Sequence, residues 1–161
     1  MTHGVLEGSA PTGPALNLDD LEAQYRADWD QRLREGRAPL HKMLGLQIKQ
    51  LRPSVILTME LSHAVEGFYA GSVHGGILAT FADVASAVSL WNSHERGKEI
   101  PVTIDMNIRY YRQPKGGPLS AAAQVVHEGK RLLSNECVVT DAQDRVLIRT
   151  SATYTVQPIR W

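Results

Sequence analysis

Three features of the sequence predict an α+β fold in which one antiparallel sheet wraps a single long helix. The stretch from about residue 75 to 93 is apolar on nearly every side, broken by one acid, Asp83; such a helix has to be enclosed rather than laid on a surface. Val102, Ile104, Met106, Ile108 and Tyr110 alternate with Thr103, Asp105, Asn107, Arg109 and Tyr111, the period of a half-buried strand. Further strand patterns follow near 118–128, 131–140 and 145–156, with turn signals between them at Lys115-Gly116-Gly117-Pro118, Gly129-Lys130 and Asp141-Ala142-Gln143-Asp144. One long apolar helix beside antiparallel strands is an α+β architecture.

Residues 1–16, rich in Gly, Pro, Ser and Thr, read as a loose tail. Residues 17–36 read as a helical extension: Leu18, Leu21, Tyr25, Trp29 and Leu33 recur at helical spacing, Asn17 or Asp19 can cap the start, and Gly36 ends it. Its aromatic stripe reads as a packing face, against the body or a partner subunit. Residues 37–161 form the main domain, beginning with a short helical turn at 39–44. Val55, Leu57, Met59 and Leu61 then alternate as a strand. The expected order is helix, two strands, long helix, and four strands in a meander. On the long helix, Ile77, Phe81, Val84, Val88 and Trp91 make one face for the sheet to cover. Ala79, Ala82, Ser86 and Ser89 make a second, small-residue face suited to close approach by another subunit.

The chain of 161 residues has the size of one domain, and 43% apolar content is enough for a single core. Seventeen basic and seventeen acidic residues cancel. That balance argues against a nucleic-acid partner and favours a homo-oligomer. The single Cys137 forms no internal disulfide, so a reducing, cytoplasmic setting is expected. Met1-Thr2-His3-Gly4-Val5-Leu6-Glu7 has no basic head and apolar run of a secretory signal. No stretch reaches the roughly 20 apolar residues of a membrane span. His3, His41, His63, His94 and His127 lack metal-ligand spacing, and no metal is expected.

The long helix opens on His74-Gly75-Gly76. Backbone N–H groups at a helix start have no partner within the helix and attract negative charge. Two glycines let a ligand carbonyl approach them, as in an oxyanion hole. The plain alternative is that the glycines only permit a tight turn into the helix. Asp83 is a poor helix former among alanines and valines, where burial would suit it to acid–base work. Its plain alternative is a polar edge bonded to Thr80 or Ser86. Gly75 and Asp83 stand eight residues apart, about 12 Å along a helix. If both serve one site, Asp83 comes from a second copy of the helix, related by a two-fold axis.

Gly71-Ser72-Val73-His74-Gly75-Gly76 followed by Ile77-Leu78-Ala79-Thr80-Phe81-Ala82-Asp83 resembles the signature of the hotdog-fold acyl-CoA thioesterases, most closely their phenylacetic-acid-degradation (PaaI-like) branch. Val102 to Pro114 resembles that family's third strand and closing Arg-x-Pro, and Leu119 to Lys130 also fits, so the resemblance covers about residues 40–157. It implies a six-stranded sheet around the helix and a dimer or tetramer. It also implies Asp83 as general base or nucleophile, and a Gly75 or Gly76 amide polarising the thioester carbonyl across the interface. Many members carry an asparagine six residues before the histidine, where this chain has Phe68. A related branch has an aromatic, glycine-containing loop like Gly67-Phe68-Tyr69-Ala70-Gly71; the asparagine's part is then vacant or taken by Tyr69, Ser72 or a group from a partner subunit. His74 is read as fixing the turn or, second, as a catalytic general base. Ser86 and Ser89 are read as packing residues or as groups that order water. Arg112, Lys130 and Arg131 are read as surface cations or as contacts to coenzyme A phosphates.

The expected activity is hydrolysis of an acyl-CoA thioester, with no cofactor beyond the coenzyme A of the substrate. Non-catalytic binding of an acyl-CoA or aromatic ligand is the alternative. Hydration of an enoyl thioester ranks behind both, since the long helix carries no histidine after its first glycine.

Overall fold

The computed structural model describes residues 17–160; the expected tail, residues 1–16, lies outside them. The order is α1 (Leu18–Arg34), α2 (Pro39–Met43), β1 (Gln47–Gln50), β2 (Val55–Met59), a single 3-10 turn (His63–Val65), α3 (Gly75–Ser89), β3 (Glu99–Tyr110), β4 (Leu119–Glu128), β5 (Leu133–Thr140) and β6 (Val146–Pro158). Asn17 caps α1 through its side-chain oxygen, which accepts the Asp19 N–H at 3.2 Å. Gly36, at φ +71°, takes the left-handed turn just past the helix end. Trp29 is buried, and Leu21, Tyr25 and Leu33 pack on the core beside it, so the α1 stripe is a packing face against the chain's own body.

The six strands form one antiparallel sheet in the order β1-β2-β4-β5-β6-β3. The expected four-strand meander is therefore corrected: β4, β5 and β6 follow one another, but β3 crosses over to pair with β6 at the far edge. α3 sits against β2, β4, β5, β6 and β3. Phe81, Leu57, Leu119 and Leu147 are sealed from solvent, each such side chain contributing about 1.5–3 kcal/mol by burial. Ala121 and Ala123 of β4 leave room for the helix to lie close to the sheet. α3 ends at Ser89, short of the expected 93. Leu90, Trp91 and Ser93 carry the chain on with i→i+3 bonds to Ala87, Val88 and Leu90, a tightened last turn.

The small-residue face of α3 is a second correction. Ala82, Ser86 and Ser89 are buried within the protomer, and Asn135 of β5 donates to the Ser86 carbonyl at 2.9 Å. Small side chains there admit the chain's own sheet, leaving partly open the stripe Gly76, Thr80, Asp83 and Ala87.

A third difference lies in β3. Thr103 pairs with Tyr154, but Asp105 pairs with Thr153, so Ile104 is an extra residue in the strand. Such a bulge reverses the alternation of faces. Val102 thus leaves the face shared by Met106 and Ile108, and Thr103 turns inward beside Tyr154.

Candidate active site

α3 starts cleanly because His74 caps it: its Nδ1 accepts the Gly76 N–H at 3.0 Å, while its carbonyl takes the N–H groups of Ile77 and Leu78. The Gly76 carbonyl accepts the Thr80 hydroxyl at 2.9 Å, and the Gly75 carbonyl accepts the Tyr110 hydroxyl at 3.1 Å. Among the described residues the Gly75 N–H has no acceptor. Neither glycine has positive φ, so the backbone turn does not demand them. A Cβ on Gly75 would make only ordinary contact with the Tyr110 ring, at 3.4 Å.

Asp83 lies two turns further on, half-buried. Thr103 donates to its Oδ1 at 2.9 Å, and the Tyr154 hydroxyl donates to the same oxygen at 2.7 Å while lying 3.1 Å from the Asp83 carbonyl. Among the described residues Oδ2 has no hydrogen-bond partner. Bonds from hydroxyls to a carboxylate are strong and directional, so one oxygen is anchored and the other left open. Burial, and then the neighbouring Asp83 carboxylate, push the Tyr154 hydroxyl well above the usual phenol range, keeping it a donor. Asp83 is bonded to neither Thr80 nor Ser86, the partners expected for a plain polar edge. Both actual partners escape the sequence reading. Thr103 reaches Asp83 only through the bulge, and Tyr154 is 71 residues away, its one signal being the inward position it holds on β6.

Asp83 and Thr103 open onto a cavity of about 840 Å³. Its α3 wall is Asp83, Val84, Ala87 and Val88, so it runs from Asp83 toward the helix C-terminus; its outer wall comes from α1 and α2. His74, Gly75 and Gly76 are not on it.

The other expected residues are dispersed. Phe68 and Tyr69 stand at the tip of a loop closed by the Glu66–Val73 bridge, 93% and 75% exposed, their rings edge to face at 5.1 Å. The Ser72 hydroxyl donates to the Tyr69 carbonyl within that loop. Ser86 is corrected as a ligand-facing residue: it is sealed from solvent between α3 and the sheet. Arg112 is exposed after β3, and Lys130 and Arg131 form the β4–β5 turn beside a smaller cavity of about 400 Å³. Cys137 is buried, which pushes its thiol up to about 12. Among the described residues no three His, Cys, Asp or Glu side chains cluster as a metal site, and no helix is long and apolar enough to cross a membrane.

The thioesterase superfamily matches residues 70–148. Over that stretch, just under half of its length, the chain is similar to the superfamily. Its six-stranded sheet around α3 is the hotdog fold, and the expectation of a thioester hydrolase holds at superfamily level. The 1,4-dihydroxy-2-naphthoyl-CoA hydrolase of Listeria monocytogenes is 24% identical over 122 residues, covering 75% of this chain and 98% of its own. A mutant thioesterase from Pseudomonas aeruginosa shares the fold with a TM-score of 0.70 at 16% identity, over 89% of this chain and 96% of its own. A Bacillus halodurans protein solved with CoA shares it with a TM-score of 0.68 at 21% identity, over 89% of this chain and 93% of its own. Both structural matches span more than residues 37–161 contain, so the likeness extends into the N-terminal helical segment, beyond the expected limit near residue 40.

Proposed function

We propose that the protein hydrolyses an acyl-CoA thioester and belongs to the PaaI-like branch, Asp83 of one subunit and the Gly75 amide of another facing the same carbonyl. The observation that carries this reading is the state of Asp83. One carboxylate oxygen is held by Thr103 and Tyr154, the other is unengaged, and the group opens onto a cavity. Water hydrogen-bonded to Oδ2 gives up its proton as its oxygen attacks the thioester carbon. The carbonyl oxygen becomes negative and accepts from the Gly75 N–H at the positive end of α3. Gly75 is favoured over Gly76, whose N–H is already given to His74. The C–S bond then breaks, and the thiolate leaves without strong protonation, which suits a site with one acid–base group. The thiolate takes back the proton held by Asp83, which restores the carboxylate, and the product acid, carrying the second hydrogen of the water, loses it to solvent.

The eight-residue separation along α3 supports a homo-oligomer, because a carbonyl at Gly75 is out of reach of Asp83 on the same helix. Arg112, Lys130 and Arg131 supply cations for the coenzyme A phosphates, and the exposed rings of Phe68 and Tyr69 offer a further contact to the substrate. The reaction needs no metal and no cofactor beyond the coenzyme A carried by the substrate. The CoA found with the Bacillus halodurans neighbour and the naphthoyl-CoA in the Listeria relative's name support that substrate class.

The test is thiol release from acetyl-, octanoyl- and benzoyl-CoA by wild type, Asp83→Asn and Asp83→Ala. Loss of turnover by about a thousandfold in both variants, with the oligomer intact, is the expected result. Wild-type turnover retained in Asp83→Asn would remove Asp83 from the chemistry. Binding of acyl-CoA with no turnover by wild type would make the protein a ligand-binding member of its family.

A further inference from the structure

We propose that the cavity between the N-terminal helices and α3 receives the acyl group of the thioester, and that this group is uncharged, apolar and larger than acetyl. The proposal deepens the hydrolase reading and rests on it.

Position is the first argument. The carbonyl carbon attacked beside Asp83 must carry its acyl chain somewhere. The cavity begins at Asp83 and follows Val84, Ala87 and Val88 toward the helix C-terminus, away from the Gly75 end. Size is the second. About 840 Å³ lies in the range of pockets that enclose a drug-sized ligand, and an acetyl group would leave nearly all of it empty. Charge is the third. Each arginine on the wall already faces a carboxylate: Arg32 and Arg96 meet Asp28 at 2.8 and 3.4 Å, and Arg37 meets Glu35. Arg96 also lies 5.2 Å over the Tyr25 ring. The Glu99 carboxylate accepts the Glu95 N–H at 2.8 Å. Arg32 and Arg96 share one carboxylate, but every guanidinium on the wall is engaged, so none stands unpartnered before an anionic acyl tail. The half-buried His41 and His94 agree with this, since burial lowers both rings toward the neutral form.

The outer wall is firmly built. Trp29 stacks on His41 at 4.9 Å, and Tyr25 meets Trp91 edge to face at 6.0 Å. Arg26 of α1 donates to the Ile48 carbonyl at 3.1 Å, fixing the helix to β1. Acyl selectivity thus resides partly in α1 and α2, outside the superfamily match at residues 70–148.

The test compares kcat/KM for octanoyl-CoA and benzoyl-CoA with that for acetyl-CoA, in wild type and in two variants that narrow the cavity from opposite walls. Leu40→Trp enlarges a residue already 44% exposed on α2, and Ala87→Leu enlarges the α3 floor. Wild type is expected to favour the larger acyl groups by at least about tenfold, and each variant to cut that ratio by about tenfold. The faster of the two larger substrates names the acyl group as chain or ring. A ratio unmoved in both variants, or a wild-type preference for acetyl-CoA, overturns the proposal. Calorimetry with octanoate and 2-naphthoate gives a reading independent of turnover. Binding to Asp83→Asn that weakens about tenfold on adding Leu40→Trp upholds the cavity assignment even if no thioester is cleaved, in which case only the hydrolase reading falls. Thiol release with acid binding indifferent to both wall variants sinks the cavity assignment alone.

Discussion

At Gly75 the fold itself asks for nothing that only glycine can give. Its φ is not positive, and a methyl group would rest at ordinary distance from Tyr110. Gly76 differs: a Cβ there would come 3.1 Å from His74 Nδ1 and push on the cap. The two glycines, indistinguishable in the sequence, therefore have separate tasks, one beside the cap and one leaving an amide bare. Alanine is the better helix former by up to about 1 kcal/mol. Gly75→Ala is accordingly expected to leave the melting temperature unchanged or slightly raised while lowering kcat/KM, because the added methyl crowds the approach to the amide. Paired thermal melts and thiol-release assays check this. Full activity in Gly75→Ala would mean that the substrate carbonyl is held elsewhere. Asp83 was legible as an anomaly in an apolar helix. Its anchors were not, because hydrogen bonds from Thr103 and Tyr154 are made by tertiary structure and leave no local spacing to read.

Among the elements, those with a strong period and a local stop signal were readable: α1 from Asn17 and Gly36, α3 from its apolar run, and β4 to β6 from their turns. Pairing was less so. β3 precedes β4 in the chain yet lies on the far side of β6, and the bulge at Ile104 inverts half of an apparently perfect alternation. The β5–β6 turn shows how one acid can hold such a connection. Asp141 is buried; its carboxylate accepts the N–H groups of Lys115, Gln143 and Arg145 at 3.1–3.2 Å and the Arg145 guanidinium at 3.0 Å, tying this turn to the β3–β4 connection. Burial alone would raise this carboxyl; the Arg145 bond and the three backbone donors overcome it and hold it well below the usual range. A carboxyl lowered by folding stabilises the protein above its unfolded pKa, about 3.9, and loses that contribution as pH falls through the folded value. Asp141→Asn should therefore melt below wild type at neutral pH, with the gap closing in acid below about pH 4. Melting curves from pH 7 to 3 decide the matter, and a constant gap would show that Asp141 acts through shape rather than charge.

For the whole molecule, the length of α3 is the controlling fact. A rigid helix separates Gly75 from Asp83 by about 12 Å, so a site that uses both must be assembled from two chains. The exposed edge strand β3 and the open stripe Gly76, Thr80, Asp83 and Ala87 are where a second copy has access. Complementation tests this without a structure of the dimer. Asp83→Ala lacks the base, and Gly75→Val blocks the amide; each is expected to be inactive alone. Unfolded together in equal amounts and refolded, the two chains pair at random, and half the dimers are mixed. In a mixed dimer, one site takes its base from the Gly75→Val chain and its amide from the Asp83→Ala chain, and is intact. The other site carries both defects. Activity should return to about one quarter of wild type, because half the dimers each hold one working site of two. A site contained within one chain would recover nothing in the mixture. That outcome would uncouple Asp83 from the Gly75 amide and require a second donor within reach of the same carboxylate.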